Sequence, residues 1–296
     1  MGSGRWNDSD YRTYATTTNY RSKRVDEVFE SRRVPDALNP AKIVLRESCD
    51  SADNPESTPI ILALDVTGSM GKYAAQIAKD HLPTIMTRIL EERPVTDPHL
   101  MFMGIDDVAC SPGEALQVSQ FEADIRILEQ LRSIYLVGNG GGNGSESYDL
   151  PWYFAAFKTK IDSFEKRGQK GYLFTFGDEL APERAVTNRE LKYTFGAGEF
   201  PDRITPEAAL QAAQERYHVF HVIIEQGDFA SRDRAGVRRS WKRLLGKNVI
   251  CVRDTKYLAE VILATMHIVA GADPELVMAE SKCREELEYA FQVARE

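Results

Sequence analysis

Cysteine is sparse in this chain, and that absence narrows its class first. Cys49, Cys110, Cys251 and Cys283 are far apart, with no CxxC pair among them. Disulfide scaffolds and structural zinc sites need closely repeated cysteine or histidine, so these four read as reduced thiols of a cytosolic protein. Long apolar runs are missing too: none approaches the ~18 residues of a membrane span. The stretch Met1-Gly2-Ser3-Gly4-Arg5 lacks the apolar core of a signal peptide. A soluble, cytoplasmic protein is therefore expected, with no membrane partner. Positive charge is in deficit, 37 Lys and Arg against 45 Asp and Glu for a net charge of -8. That balance argues against nucleic-acid binding by the molecule as a whole.

Apolar residues are plentiful. At 43% hydrophobic over 296 residues, a packed core is easily supplied, in one α/β domain with extensions or in two small domains. Residues 1 to 42 show no sustained period. Trp6, Tyr11, Tyr14 and Tyr20 are scattered among polar residues, and through Arg46 nine Lys and Arg face six Asp and Glu. This reads as an extended basic arm, in part disordered. It either packs over its own acidic domain, binds a partner, or stacks on single-stranded nucleic acid; the nucleic-acid role is not the expected one. The domain proper is assigned to 43–271, with a C-terminal helix over 272–296 opened by Asp273-Pro274. A stripe of Leu276, Cys283, Leu287, Ala290 and Ala294 is expected to pack intramolecularly.

Ile43-Val44-Leu45 reads as a short edge strand. Five apolar residues, Ile60 to Leu64, then run into Asp65, as a buried parallel strand would. A helix follows, with Tyr73, Ile77, Ile85 and Ile89 on one face, widened by Ala74, Ala78 and Leu82. His81 lies on that face as a packed histidine, and Pro83 should kink the helix unless a turn starts afresh there. Leu100 to Ile105 is a second buried strand, ending in Asp106-Asp107. Alternation lets at most one of these acids face a site at the strand end, and Asp106 is the better choice. Ala115 to Ser119 alternates as an antiparallel edge strand does, and Ile125, Leu128 and Leu131 mark a short helix.

The glycine-rich run Gly138 to Gly144 precedes Ser145-Glu146-Ser147 and a helix packed through Trp152, Ala155, Ala156 and Phe157. It is either a linker or a functional loop at the carboxyl edge of the sheet. The functional reading is favoured, although no lysine follows as a phosphate-binding loop requires. Gly171 to Gly177 is another buried strand, ending in Asp178; Glu179 is assigned to solvent. Residues 183–203 read as a long loop. Thr205-Pro206 opens a helix, and Val219 to Ile224 and Val249 to Val252 complete the strands. His218 and His221 point to opposite faces of a strand, which speaks against zinc.

Strand and helix patterns alternate after residue 60. The fold class expected is therefore α/β: a Rossmann-like, mostly parallel central sheet with helices on both faces and one antiparallel edge strand. Asp65, Thr67 and Ser69 offer hard oxygen donors at a strand's carboxyl end, where ligands bind in such sheets. They suit Mg²⁺ or Mn²⁺ and not zinc.

Asp65-Val66-Thr67-Gly68-Ser69, at the end of an apolar strand and before a helix, resembles the Asp-x-Ser/Thr-x-Ser motif of the von Willebrand factor A family. The likeness extends over about 58–270. The approach Arg46-Glu47-Ser48 and Asn54-Pro55 is similar to that of the stand-alone bacterial members. The resemblance implies a metal-ion-dependent adhesion site holding Mg²⁺ (or Mn²⁺, Ca²⁺). In it Thr67 and Ser69 would bind directly, and Asp65 directly or through water. Family members add a Thr from the second loop and an Asp from a Thr-Asp-Gly turn. Here Ser145 or Glu146 stands for that Thr, and Phe176-Gly177-Asp178 replaces the turn. The function implied is a Mg²⁺-dependent protein-binding module whose partner supplies an acidic side chain to the ion. Relatives also act with AAA+ ATPases. The alternative is a Mg²⁺-dependent phosphohydrolase with Asp65 as nucleophile. That chemistry normally wants an acid at position 67, where this chain has threonine.

Overall fold

The computed structural model describes residues 4–68, 70–137 and 144–295. Ser69, the run 138–143 and the side chains of Ala74, Ala78 and Ala294, all singled out above, lie outside the described residues. Among the described residues the central sheet has six strands. They are β1 (Thr58–Asp65), β2 (Pro98–Ile105), β3 (Leu116–Val118), β4 (Gly171–Gly177), β5 (Tyr217–Ile224) and β6 (Val249–Val252). Their order across the sheet is β6-β5-β4-β1-β2-β3. All neighbours are parallel except β3, which runs antiparallel to β2 at the edge. The fold is α/β and Rossmann-like, as expected.

The apolar runs are continuous because both faces are covered. Ile60, Leu62 and Leu64 face one core with Phe102, Phe174 and Val222. The helices at Leu82–Glu92, Arg126–Arg132 and Leu258–Val269 pack there. Ile61 and Ala63 face the other core with Met101, Leu173 and Ile223, beneath the helices at Asp149–Phe157, Pro206–Arg216 and Arg234–Leu245. The alternation that splits β1 between two cores is the two-residue period of a strand. Each large side chain so buried contributes about 1.5–3 kcal/mol.

This strand order reverses between β1 and β4, and that reversal decides where a ligand can enter. From β1 the chain winds outward to β2 and β3; it then returns to the far side of β1 and winds the other way through β4, β5 and β6. The loops leaving β1 and β4 therefore part in opposite directions and open a crevice at the carboxyl ends. The last pairs of the sheet set Leu64 beside Phe176 and Asp65 beside Ile105. Asp65, Asp106 and Asp178 thus emerge at adjoining strand ends.

Several local expectations are corrected. Residues 8–17 are not extended: Asp8–Thr17 is an α-helix capped by Asn7, and Trp6, Tyr11 and Tyr20 are buried in the first core. The aromatics thus serve as packing groups, which no local period reveals. The short strand is Arg46–Ser48, paired with Thr159–Ile161, and not Ile43 to Leu45; Val44 is 87% exposed. Residues 183–203 hold a small hairpin, Val186–Thr187 with Arg203–Ile204, and a helix, Asn188–Phe195, with a complete capping box at Thr187 and Glu190. The C-terminal helix is broken into Pro274–Glu280, Arg284–Ala290 and Gln292–Arg295. Leu276 is exposed, whereas Leu287 and Ala290 are buried. Phe157, expected to pack, is 53% exposed at the end of its helix. Before Pro83, which lacks an N–H, the helix widens to a π segment at Ile77–His81 and restarts as α at Leu82. No helix among the described residues is long and apolar enough to cross a membrane.

Candidate functional site

Asp65 closes β1 and is fully buried. Its Oδ1 accepts the Thr67 backbone N–H at 2.9 Å and the Thr67 hydroxyl at 2.6 Å. Its Oδ2 accepts the hydroxyl of Tyr148 at 3.1 Å. The spacing Asp-x-Thr makes the first pair local, because a side-chain carboxylate reaches the backbone two residues on. Tyr148 is brought in by tertiary packing: its ring lies edge-on to His221 and Trp241, and its hydroxyl abuts Gly177. A Cβ at Gly177 would overlap that hydroxyl, so the close approach requires glycine. Burial lifts the Asp65 carboxyl to about 7, with Asp178 adding to the rise and the Thr67 and Tyr148 hydrogen bonds opposing it.

Acidic side chains gather around it. Glu146 is 2% exposed, and among the described residues neither carboxyl oxygen has a hydrogen-bond partner. Burial, reinforced by Asp65, Glu179, Asp106 and Asp107, pushes it up to about 10. Glu179 is buried rather than solvated, correcting the expectation for it; burial and the charges of Asp65 and Asp178 raise it to about 8. Asp178 is fully buried beside Gly227, and its Oδ2 accepts the Phe229 N–H at 2.8 Å. Asp106 is also raised, chiefly by burial, and its Oδ2 has no partner. The charges that act most strongly on Glu146 and Glu179 are all negative.

Of the residues singled out from the sequence, Thr67 is hydrogen-bonded to Asp65, and Asp178 and Glu146 lie near enough to couple to Asp65 by charge. Ser145 lines a cleft of about 290 Å³ together with Glu146, Asp107 and Asp149. Ser69 lies outside the described residues. Tyr148, Glu179 and Asp107 join the site without having been expected there. No pattern marks Tyr148, whereas Glu179, next to a strand-end aspartate, carries a usable signal. His221 is absorbed by structure, stacked on Trp241 and bonded to Thr175 at 2.8 Å; His218 packs on Tyr172 across the sheet.

Among the described residues no three His, Cys, Asp or Glu side chains stand ready to hold a metal ion. The donor chemistry nonetheless fits one. The groups at the crevice are carboxylate and hydroxyl oxygens, and Glu146 presents two unpartnered oxygens in a buried, like-charged setting. A hard divalent cation satisfies such a set; zinc prefers nitrogen and sulfur.

No family model and no curated protein matches the chain. Solved structures similar to it include the pilus adhesin SpaC from Lactobacillus rhamnosus GG in an open conformation, at 11% identity and a TM-score of 0.46. That match covers 78% of this chain and 31% of the adhesin, so the chain spans about a third of the adhesin's length. Another is a von Willebrand factor type A protein from Catenulispora acidiphila, at 15% identity and a TM-score of 0.35, covering 74% of this chain and 44% of that one.

Proposed function

We propose that the chain is a divalent-cation-dependent protein-binding module, with Mg²⁺ as the ion, seated at the β1/β4 crevice. The observation that carries this reading is the buried acid cluster whose strongest neighbours are negative. The charges acting most strongly on the buried carboxyls of Asp65, Glu146 and Glu179 are negative, and among the described residues nothing hydrogen-bonds the Glu146 carboxyl oxygens. Carboxyls so placed either hold protons or await a cation. The motif Asp65-x-Thr67-x-Ser69 and the placement of Asp178 at the neighbouring strand end support the second choice.

Asp65, Thr67 and Ser69 would hold the ion from the first loop, Glu146 or Ser145 from the second, and Asp178 from the third. When bound, Mg²⁺ supplies an open coordination position that a partner's Asp or Glu carboxylate fills. Tyr148 and the Phe229 N–H fix the carboxylates of Asp65 and Asp178, so that the site loses little freedom on loading. Glu146, if ionised on the metal, lowers its residual charge and weakens its pull on a partner's carboxylate.

Phosphoryl transfer to Asp65 is the less supported reading. Both of its carboxyl oxygens are engaged by Thr67 and Tyr148, and position 67 offers a hydroxyl where an acid is wanted. Calorimetric titration of Mg²⁺ into the wild type and into Asp65→Ala tests the proposal. Saturable heat that disappears in the variant is expected. Equal heats, or Asp65-dependent release of p-nitrophenol from a phosphate ester, would overturn it.

A further inference from the structure

Arg46 carries a charge that the fold leaves unanswered. It begins the short strand Arg46–Ser48 and is only 8% exposed. Its Nη2 donates to the carbonyls of Ala37 at 2.6 Å and Val118 at 3.1 Å, tying the N-terminal arm to the edge strand β3. The buried Nε has no hydrogen-bond partner among the described residues. No carboxylate among the described residues pairs with this guanidinium, and burial alone pulls it down to about 10. Two carbonyl tethers do not require a charge, and burying one without a counter-ion is costly.

Arg46 lines a surface cleft of about 520 Å³. The walls are strongly apolar for a surface: Pro35, Leu38, Ile43, Val44 and Leu45 line it, and Val44 and Leu45 are 87% and 40% exposed. Lys42, also on the cleft, is already paired with Asp36 at 2.6 Å. The cleft is lined by none of Asp65, Thr67, Glu146 and Asp178 and shares no residue with the cleft of Ser145, so a role for it is separate from metal binding at those residues.

We propose that this cleft docks an acidic segment of a partner protein, with a carboxylate side chain received by Arg46 and a neighbouring aliphatic residue seated on Val44 and Leu45. Charge complementarity selects the carboxylate, because a guanidinium that no described carboxylate pairs with favours an anionic partner over a neutral one. The apolar rim selects a polypeptide over a bare anion, since a simple ion gains nothing from Val44 or Leu45. The volume is that of a small-ligand or short-peptide pocket.

The test titrates the capped peptide acetyl-Leu-Asp-Leu-amide into the full-length protein, following methyl resonances of Val44 and Leu45 by NMR. Its Asn counterpart and sodium acetate serve as controls. The Asp peptide is expected to bind at least about tenfold more tightly than either, a ratio worth about 1.4 kcal/mol. Val44→Asp, at a site too exposed to threaten the fold, should weaken it about fivefold or more with an unchanged melting temperature. Arg46→Gln should abolish the preference for Asp over Asn. Equal affinity for the two peptides, equal affinity for acetate, or no saturable shift would each overturn the proposal.

Discussion

Asp65 and Tyr148 show how one residue of the site is legible in the sequence and the other is not. Asp65 announces itself because a carboxylate ending an apolar run is anomalous, and its partner Thr67 is two residues away. Tyr148 reaches Asp65 across 83 residues of sequence, through a packing position beside His221 and Trp241 that no local pattern encodes. Removing its hydroxyl in Tyr148→Phe leaves Oδ2 of a buried carboxyl without a donor. A loss of about 1–3 kcal/mol is expected in urea unfolding. Glu146→Gln should act in the opposite sense on the metal-free protein. It replaces a carboxyl that must take up a proton to stay buried with an amide that needs none, at almost no change of shape, so melting in EDTA should rise above the wild type while Mg²⁺ affinity falls. A Glu146→Gln protein that melts lower in EDTA and binds Mg²⁺ as before would contradict the role given to Glu146. Glu179 reads from the sequence as a solvated loop charge because burial of a residue just past a strand depends on what packs against it, here Trp241, whose indole N–H donates to the Glu179 carbonyl at 2.9 Å.

At the scale of elements, the sheet is legible almost to the residue and the connections are not. β1, β2, β4, β5 and β6 are largely apolar runs because both of their faces are buried; β3 alternates although Gln117 is buried too, bonded to the backbone of Tyr135. The N-terminal helix Asp8–Thr17 lacks such a signal because Tyr11 is its one buried residue. The strand Arg46–Ser48 is a short parallel pair whose partner, Thr159–Ile161, lies far along the chain, so nothing local points to it. The loop after β5 matters most for the site. Gly227 lies against the side chain of Asp178, and the N–H of Phe229 holds its carboxylate. An added methyl at 227 would overlap Asp178. Gly227→Ala should therefore lower Mg²⁺ affinity by about tenfold or more in calorimetry, while the same change at the open Gly168, with nothing near its Cβ, should leave it unaltered. Loss at both positions, or at neither, would detach the β5 loop from the site.

For the whole molecule, the raised carboxyls and the lowered histidines make opposing contributions across pH. Asp65, Glu179 and Glu146, at about 7, 8 and 10, bind protons more tightly folded than unfolded. Their contribution is complete below the ordinary carboxyl range near 4 and is lost as pH rises through those folded values. Buried His99, lowered to about 4, and His221, lowered further, contribute above about 6.5 and lose that contribution as pH falls. Metal-free stability should thus decline as pH rises above about 6.5, where the histidine contribution is complete and that of the carboxyls is still being lost. Mg²⁺ should flatten the alkaline limb, because it replaces the protons as counter-charge. Melting temperatures in EDTA and in Mg²⁺, measured from pH 5 to 9, check this; parallel curves would contradict it.

The exchange of protons for metal can be counted. At pH 7 the metal-free protein should hold protons on Glu146 and Glu179 and part of one on Asp65, and a divalent ion in their midst should expel them. Calorimetric titration of Mg²⁺ in buffers of different ionisation enthalpy gives the number released. Release of at least about one proton per ion, falling in Glu146→Gln, is the expected result. Binding without proton release, or no binding at all, would show that these carboxyls are not the metal's ligands.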